Sequence, residues 1–229
     1  MSMIPWYYMW SEKYRFFHEI FQDTMKEPEF SVRPIYLDQS VFDATLHQGG
    51  SHAWTNSTLK VDQILRVLES SELPYVLFTD IDLVCKDAIF PKLQAHMDAR
   101  HSMVFLQEGR TLNIGFMLLM VCKEVIDFWK NIREMVRQGG LDQDHVNDVM
   151  PTYSLPWGKF DDKAFTCSNT WDGTKFSVIQ TLSSTVSKED DIAEKIYSFS
   201  LFLNVEPYMK YVPETILPYV AKIQQIVKA

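Results

Sequence analysis

The feature that most constrains the fold is a short apolar segment that ends abruptly in two acidic residues. Tyr75-Val76-Leu77-Phe78 follows Pro74 and runs directly into Thr79-Asp80-Ile81-Asp82. A continuous apolar run bounded by turn signals predicts a central strand that is buried on both faces of a sheet. Open α/β sheets bind ligands beyond the carboxyl ends of their strands, so Asp80 and Asp82 stand where a binding site is expected.

Strand patterns alternate with helix patterns over the first 140 residues, which predicts an α/β layered fold in one domain spanning residues 1–229. Further strands are predicted at residues 4–10, 32–37, 103–106, 114–121, 152–157 and 176–182. Helices are predicted after Ser11, over the apolar stripe of residues 59–68 with Asn56 or Ser57 as cap, from Lys123 to the Gly139-Gly140 pair, and from Ser187.

Composition excludes several classes of protein. The chain has 229 residues, is 46% hydrophobic and 23% charged, and contains only 8 Gly, which excludes disordered and low-complexity classes. Its 30 acidic and 22 basic residues leave a net charge of −8, which argues against a nucleic-acid-binding surface. A small nucleotide held by a metal ion and a few donors is compatible with that charge.

The cysteines and the N-terminal segment predict a cytoplasmic protein. Cys85, Cys122 and Cys167 lie far apart without a CxxC pair, which favours neither a disulfide framework nor a zinc site and fits a reducing compartment. The aromatic N-terminus lacks the pattern of a secretory signal. The apolar stretch at residues 111–122 is shorter than the roughly 20 residues that span a bilayer, so no membrane span is expected.

The Asp80-x-Asp82 pair has the chemistry of a metal site. One carboxylate can bind a divalent cation directly and the other directly or through water, and such oxygen ligands suit Mg²⁺ or Mn²⁺. The pattern alone is weak, because a D-x-D is expected about once by chance in a chain of this length. Asp142-Gln143-Asp144 is a second instance, and the alternative for the first is a solvated turn. Its position after a buried strand favours the metal site.

Three more groups of residues carry candidate chemistry. Asn113-x-Gly115 offers an amide to a hydroxyl-rich ligand where backbone can approach closely, although an Asn in a turn before a core strand is the simpler explanation. Asp142 and Gln143 follow a glycine turn, and Asp142 could equally cap a helix. Lys60 could pair with a diphosphate or be solvated.

These motifs occur in an order that resembles the GT-A glycosyltransferases, nucleotide-sugar enzymes with a DxD metal motif. The order is Trp54 and Lys60, then Asp80-x-Asp82, then Asn113-x-Gly115, then Asp142-Gln143. The chain is similar in particular to the retaining galactosyl- and xylosyltransferase family, and to such domains encoded by large algal viruses. The resemblance covers residues 4–149 and implies a GT-A, Rossmann-like fold: a mainly parallel central sheet flanked by helices, with an irregular C-terminal region.

The resemblance also implies roles for individual residues. Asp80 and Asp82 would bind Mn²⁺ or Mg²⁺ between the phosphates of a UDP-sugar, and Asp142 and Gln143 would lie near its anomeric carbon. Residues 1–110 would form a nucleotide-binding half, 111–185 an acceptor and metal half, and 186–229 a C-terminal helical tail. The acceptor would be a glycan or glycoprotein. The implied donor contacts are Trp10, Ser11, Asp38, Lys60, Thr79, Ile81, Asn113 and Gly115.

The chain departs from the family at the third metal ligand. Family members take it from a late His, whereas every His here lies at or before position 145 and Gln180 occupies the matching place. A neutral amide oxygen is a poorer ligand, so weaker metal binding is expected. The resemblance implies retention of anomeric configuration. An inverting enzyme would need a carboxylate base, for which the candidates are Asp142, Asp144, Asp161 and Asp162.

Two other functions stay open at this stage. Asp80-Ile81-Asp82-Leu83-Val84 matches the signature of haloacid-dehalogenase-type phosphatases, with Asp80 as nucleophile and Lys188, Asp190 and Asp191 as possible partners. That signature normally follows the first strand of its domain, whereas two predicted strands precede it here. A catalytically silent sugar-binding domain is the other alternative, supported by Gln180 and by aromatic residues that can stack on sugars: Trp54, Trp157 and Trp171.

Overall fold

The computed structural model describes residues 3–38, 40, 58–183 and 188–228, and its centre is a six-stranded sheet. In spatial order the strands are β2 (Phe30–Tyr36), β1 (Ile4–Trp10), β3 (Tyr75–Thr79), β6 (Thr111–Met120), β5 (Met103–Glu108) and β7 (Gly158–Lys159). Strand β6 pairs antiparallel with β3 and β5, and the other pairs are parallel. The predicted mainly parallel α/β sheet is therefore confirmed.

A second, three-stranded sheet begins directly after Asp82 and has the order β4 (Leu83–Cys85), β9 (Val178–Gln180) and β8 (Phe165–Cys167). The α-helices within the described residues include α1 (Arg15–Thr24), α2 (Leu59–Ser70), α3 (Phe90–Asp98), α4 (Lys123–Gln138), α5 (Asp142–Val149), α6 (Lys188–Phe202) and α7 (Leu217–Lys228). Short 3-10 helices occupy Glu12–Tyr14, Met150–Thr152 and Glu206–Tyr211. No helix within these described ranges is both long enough and apolar enough to cross a bilayer.

Strand β3 is buried on both faces, which explains its continuous apolar sequence. Leu77 packs into a cluster with Trp6 and residues of α1 and α6, while Phe78 packs into a second cluster with residues of α2 and α4. Trp6 makes edge-on contacts with Phe21 and Phe116, with ring centroids 5.0 and 5.7 Å apart. Full burial of a side chain such as Leu77 or Phe78 contributes about 1.5–3 kcal/mol to stability, so β3 is held firmly on both faces.

The predicted strand at residues 152–157 is wrong. The segment starts in the 3-10 helix that ends at Thr152, and pairing begins only at Gly158. Pro151 and Pro156 have no N–H to donate to a sheet, and the Pro156 carbonyl accepts from the backbone N and hydroxyl of Ser102 instead. Apolar content alone therefore does not make this segment a strand.

Two predicted helix caps are not found where expected. The Ser11 side chain forms no capping hydrogen bond, because the chain first enters a 3-10 helix at Glu12. Thr58 stands at the N-cap position of α2, and the predicted caps Asn56 and Ser57 lie outside the described residues, as does Trp54. The expected stop of α4 is confirmed, since Gly139 follows it with φ +124°.

Candidate functional site

The predicted polar residues gather along one edge of the large sheet. Because β1, β2, β3 and β5 run in the same direction, their carboxyl ends meet there, and antiparallel β6 begins at the same edge. Asp80 follows β3, Asn113 and Gly115 lie in the first half of β6, and Trp10 ends β1. This edge is where open α/β sheets bind ligands.

Asp80 is contacted from three separate segments. Its backbone N–H donates to the Gly115 carbonyl at 2.8 Å, which fixes the start of the turn. The Lys60 Nζ, in the first turn of α2, donates to Asp80 Oδ1 at 2.7 Å. The Gln180 Nε2, at the end of β9, donates to Asp80 Oδ2 at 3.1 Å. The carboxylate is thus oriented by one cation and one amide.

Asp82 is only 4% exposed and pairs with a lysine that the sequence patterns did not single out. Lys195 Nζ of α6 lies 2.9 Å from Asp82 Oδ2 and 3.7 Å from Asp191 Oδ1. Burial lowers the pKa of Lys195, but the charges of Asp82 and Asp191 more than offset this and raise the pKa above its ordinary value. The ammonium group therefore stays charged beside Asp82.

Two oxygen atoms at this site are buried without a hydrogen-bond donor among the described residues: Asp82 Oδ1 and Gln180 Oε1. An unsatisfied buried acceptor costs about 1–3 kcal/mol, which a cation or water would relieve. Carboxylate and amide oxygens suit Mg²⁺ and Mn²⁺, so these residues fit such an ion. The described ranges contain no group of three or more His, Cys, Asp or Glu arranged to hold a metal. Gln180, water and ligand oxygens would therefore have to complete the shell.

Gly115 leaves the space that the Gln180 amide occupies. A Cβ built at Gly115 would lie 2.0 Å from Gln180 Nε2 and 2.2 Å from Gln180 Oε1, far inside van der Waals contact. Gln180 is held by its strand, since it pairs with Leu83 in the small sheet. The glycine is needed here for space, because any side chain would push the amide away from Asp80.

We predict that Gly115→Ala lowers the free energy of unfolding by about 1–3 kcal/mol through overpacking. The reason is the collision between the new methyl group and Gln180. Urea denaturation measures the effect, and the double variant Gly115→Ala/Gln180→Ala should recover most of the loss. Equal stability of Gly115→Ala and the wild type would contradict the close approach.

Asp142 and Gln143 open α5, and Gln143 and Asn147 fasten this helix to β6. Gln143 Oε1 accepts from the Ile114 N–H at 3.2 Å, and Asn147, one turn on, bonds the Leu112 N–H and carbonyl at 2.8 and 2.9 Å. Asp142 Oδ1 accepts from the Gln143 N–H at 2.9 Å and, as the first helical residue, does not cap the helix. Burial raises the pKa of Asp142, and the nearby charge of Lys60 opposes that shift.

Asn113 is 3% exposed and holds the turn at the start of β6. Its Oδ1 accepts from the Gly115 N–H at 2.6 Å, and its Nδ2 donates to Glu108 Oε2 at 2.9 Å. Glu108 also accepts from Asn169 Nδ2 at 3.1 Å. Glu108 was not singled out from the sequence, because a lone Glu at the end of a strand carries no signal there.

Three of the implied donor contacts, Trp10, Ser11 and Asp38, lie at or just beyond the ends of β1 and β2. Trp10 stacks on His18, with ring centroids 3.9 Å apart and planes 9° apart. Ser11 is fully buried, and its Oγ has no hydrogen-bond partner within the described part of the chain. Asp38 is exposed and accepts from the Ser40 N–H at 2.8 Å.

Thr79 and Ile81 flank Asp80, and both of their side chains are turned into the protein. Thr79 is 1% exposed and its Oγ1 accepts from the Trp6 Nε1 at 2.9 Å, while Ile81 is 5% exposed within the apolar core. Any contact of these two residues with a ligand would therefore have to come from their backbone atoms.

Comparisons with known proteins identify the fold. Neither the family models nor the curated protein sequences give a match. Among solved structures, the glycosyltransferase GlyE of Streptococcus pneumoniae TIGR4 matches with a TM-score of 0.56 at 9% identity, over 96% of this chain and 64% of that chain. The bifunctional glycosyltransferase WbbM matches with a TM-score of 0.58 at 11% identity, over 92% of this chain and 52% of its own.

For two further solved structures, the match to this chain extends over almost their whole length. A glycosyltransferase involved in the glycosylation of the major capsid of PBCV-1 has a TM-score of 0.61 at 8% identity, over 86% of this chain and 100% of that chain. The galactosyltransferase LgtC, solved with donor and acceptor sugar analogues, has a TM-score of 0.53 at 15% identity, over 92% and 98%. The chain therefore has the GT-A glycosyltransferase fold.

Proposed function

We propose that this protein is a metal-dependent glycosyltransferase that moves a sugar from UDP to a hydroxyl group of a glycan or glycoprotein. The observation that carries the proposal is the arrangement of Asp80 and Asp82 after β3, with Lys60 and Gln180 on the first carboxylate and Lys195 on the second. Two carboxylates, an amide and two ammonium groups at a strand end suit a cation and a diphosphate.

Asp80, Asp82 and Gln180 would hold Mn²⁺ or Mg²⁺. When bound, the cation supplies positive charge that offsets the charge developing on the departing diphosphate. Lys60, paired with Asp80 in the first turn of α2, would add a second positive charge near the donor. Trp10, Ser11 and Asp38 would border the uridine, and Asn113 and Gly115 the sugar.

In the proposed reaction, the bond between the anomeric carbon and the phosphate oxygen breaks, and its electron pair leaves with UDP. The acceptor oxygen forms the new bond to that carbon, and its proton passes to the departing diphosphate or to a carboxylate. The family resemblance would put Asp142 beside the reacting carbon, which makes it the candidate carboxylate, and burial raises its pKa and so favours proton uptake. We propose retention of the anomeric configuration, and the only support for it is the resemblance to the retaining family.

The wider assignments form part of the same proposal. Residues 1–110 would bind the nucleotide, 111–185 would bind acceptor and metal, and the location would be cytoplasmic. The chain spans 64% of GlyE and 52% of WbbM, so the donor sugar and the acceptor of this protein are not inferred from those two enzymes. The phosphatase alternative has no comparable support from the fold.

Calorimetric titration with UDP and a panel of UDP-sugars, with and without Mn²⁺, tests the proposal. We expect binding that is lost on adding EDTA and weakened at least about tenfold in Asp82→Asn. Circular dichroism checks that this variant remains folded. Metal-independent sugar binding without UDP release would favour the silent domain, and an aspartyl-phosphate trapped on Asp80 would favour the phosphatase.

A further inference from the structure

A cleft of about 190 Å³ opens at the end of β5 and is lined mainly from residues 162–174, within the segment proposed to bind acceptor and metal. Its wall includes polar and aromatic side chains from β5, β8 and the loops that flank β8: Gln107, Asp162, Lys163, Thr166, Thr170 and Trp171. Ligand pockets for drug-sized molecules measure about 300–1,000 Å³, so this cleft suits a smaller ligand, about one sugar ring.

The cleft lies on the same edge of the sheet as Asp80. Strands β5 and β3 run in the same direction with only β6 between them, and β5 reaches further along β6, since Gln107 pairs with Leu112 and Thr79 with Phe116. Glu108, next to Gln107, links the two places, because it accepts from Asn113 on the donor side and from Asn169 on the cleft side. The cleft and the proposed donor side are therefore joined through the Glu108 side chain.

Trp171 presents a held aromatic surface to the cleft. Trp171 is 36% exposed, its Nε1 donates to the Thr174 carbonyl at 2.7 Å, and its ring lies nearly perpendicular to those of Phe202 and Phe176, with centroids 5.1 and 5.9 Å apart. An indole fixed in this way can cover an apolar face of a sugar at a small cost in entropy.

The remaining chemistry favours an uncharged, hydroxyl-bearing ligand. The Thr166 and Thr170 hydroxyls donate to the Cys167 carbonyl, so their oxygens remain as acceptors. The Gln107 amide donates one N–H to the Gly109 carbonyl and keeps its oxygen and a second N–H for a ligand. Asp162, Asp172 and Lys163 leave the wall with one negative charge in excess, which disfavours an anion, and the Asp172 carboxylate already accepts from the Thr174 N–H and hydroxyl. Phosphorylated or strongly acidic ligands would gain little here.

We propose that this cleft is the acceptor subsite and that it takes a single uncharged pyranoside ring stacked on Trp171. The assignment to an acceptor rests on the proposed glycosyl transfer. Binding of the sugar itself does not, because the cleft is formed by residues that contact neither Asp80 nor Asp82.

Saturation-transfer NMR with a panel of methyl pyranosides (hexoses, 6-deoxyhexoses and pentoses), without any donor, tests the cleft directly. We expect at least one glycoside to bind, with affinity about tenfold weaker in Trp171→Ala and in Gln107→Ala, and largely kept in Trp171→Phe. Lys175→Ala is the matched control, since Lys175 pairs with Asp87 outside the cleft. Circular dichroism confirms the fold of each variant.

Different outcomes separate this inference from the proposed function. If no glycoside binds, or if the Trp171 and Gln107 variants bind like Lys175→Ala, the cleft assignment is overturned while UDP and Mn²⁺ binding still stands. If a glycoside binds in the cleft but UDP does not bind at all, the acceptor role is overturned together with the proposed function. If the glycoside that binds in the cleft is also the acceptor, and transfer to it saturates as the cleft fills, both the cleft assignment and the proposed function are supported.

Discussion

Asp80→Asn is expected to lower kcat for glycosyl transfer about 10²–10³-fold, while the free energy of unfolding changes by no more than about 1 kcal/mol. The substitution keeps the size of the side chain and one acceptor for Lys60 or Gln180, but removes the negative charge that would bind the cation. Because the Asp80 side chain is 35% exposed, water can accept the hydrogen bond from Lys60 or Gln180 that the new amide does not accept. UDP release from the preferred donor measures turnover, and urea denaturation measures stability.

Asp87→Asn is the control for this result. Asp87 also pairs with a lysine, Lys175, at 3.0 Å, but that pair is exposed and lies outside the site. Its loss should leave turnover within about twofold of wild type, because exposed ion pairs contribute at most about 1 kcal/mol. Wild-type turnover in Asp80→Asn would show that this carboxylate holds no catalytic cation.

Lys195→Met should lower the free energy of unfolding by about 3–5 kcal/mol, the largest effect on stability that we predict. Methionine fills a similar volume but leaves Asp82, which is 4% exposed, without its 2.9 Å partner. Burial raises the pKa of Asp82 above its ordinary 3.8, and Lys195 is the strongest opposing influence. Removing Lys195 therefore raises that pKa further.

This shift predicts how the loss depends on pH. A carboxyl whose pKa is higher in the folded than in the unfolded state destabilises the fold as pH rises through the folded value. The loss in Lys195→Met should therefore be larger at pH 8 than at pH 5. Urea denaturation at both pH values, with EDTA present so that no cation replaces the lysine, measures it.

Two companion variants test the cause of this instability. Lys195→Met/Asp82→Asn should recover a large part of the stability, because no unpaired charge is then buried. Asp191→Asn should cost less than about 1 kcal/mol, since Asp191 is 28% exposed and lies 3.7 Å from Lys195. A single Lys195→Met variant as stable as wild type would mean that Asp82 is neutral or hydrated in the folded protein.

Local sequence was sufficient for strands that are apolar along their whole length. Strand β1 is predicted to the residue, and β3 within one residue, because their side chains pack against the core along the whole strand. The nine-residue helix α3 was missed because it buries only Leu93 and so shows no apolar stripe. Strands β4 and β8 have three residues each, too few for a period to appear.

Residue types and their order along the chain were enough to indicate a binding edge at Asp80 and Asp82, because a strand buried on both faces must be apolar and must stop where polar residues follow. They could not reveal that Gln180 lies against Gly115 or that Lys195 pairs with Asp82, contacts that join residues 65 and 113 positions apart. Such pairs depend on how the small sheet and α6 pack onto the large sheet. Packing of distant segments leaves no local period, so only the folded chain shows which charges meet.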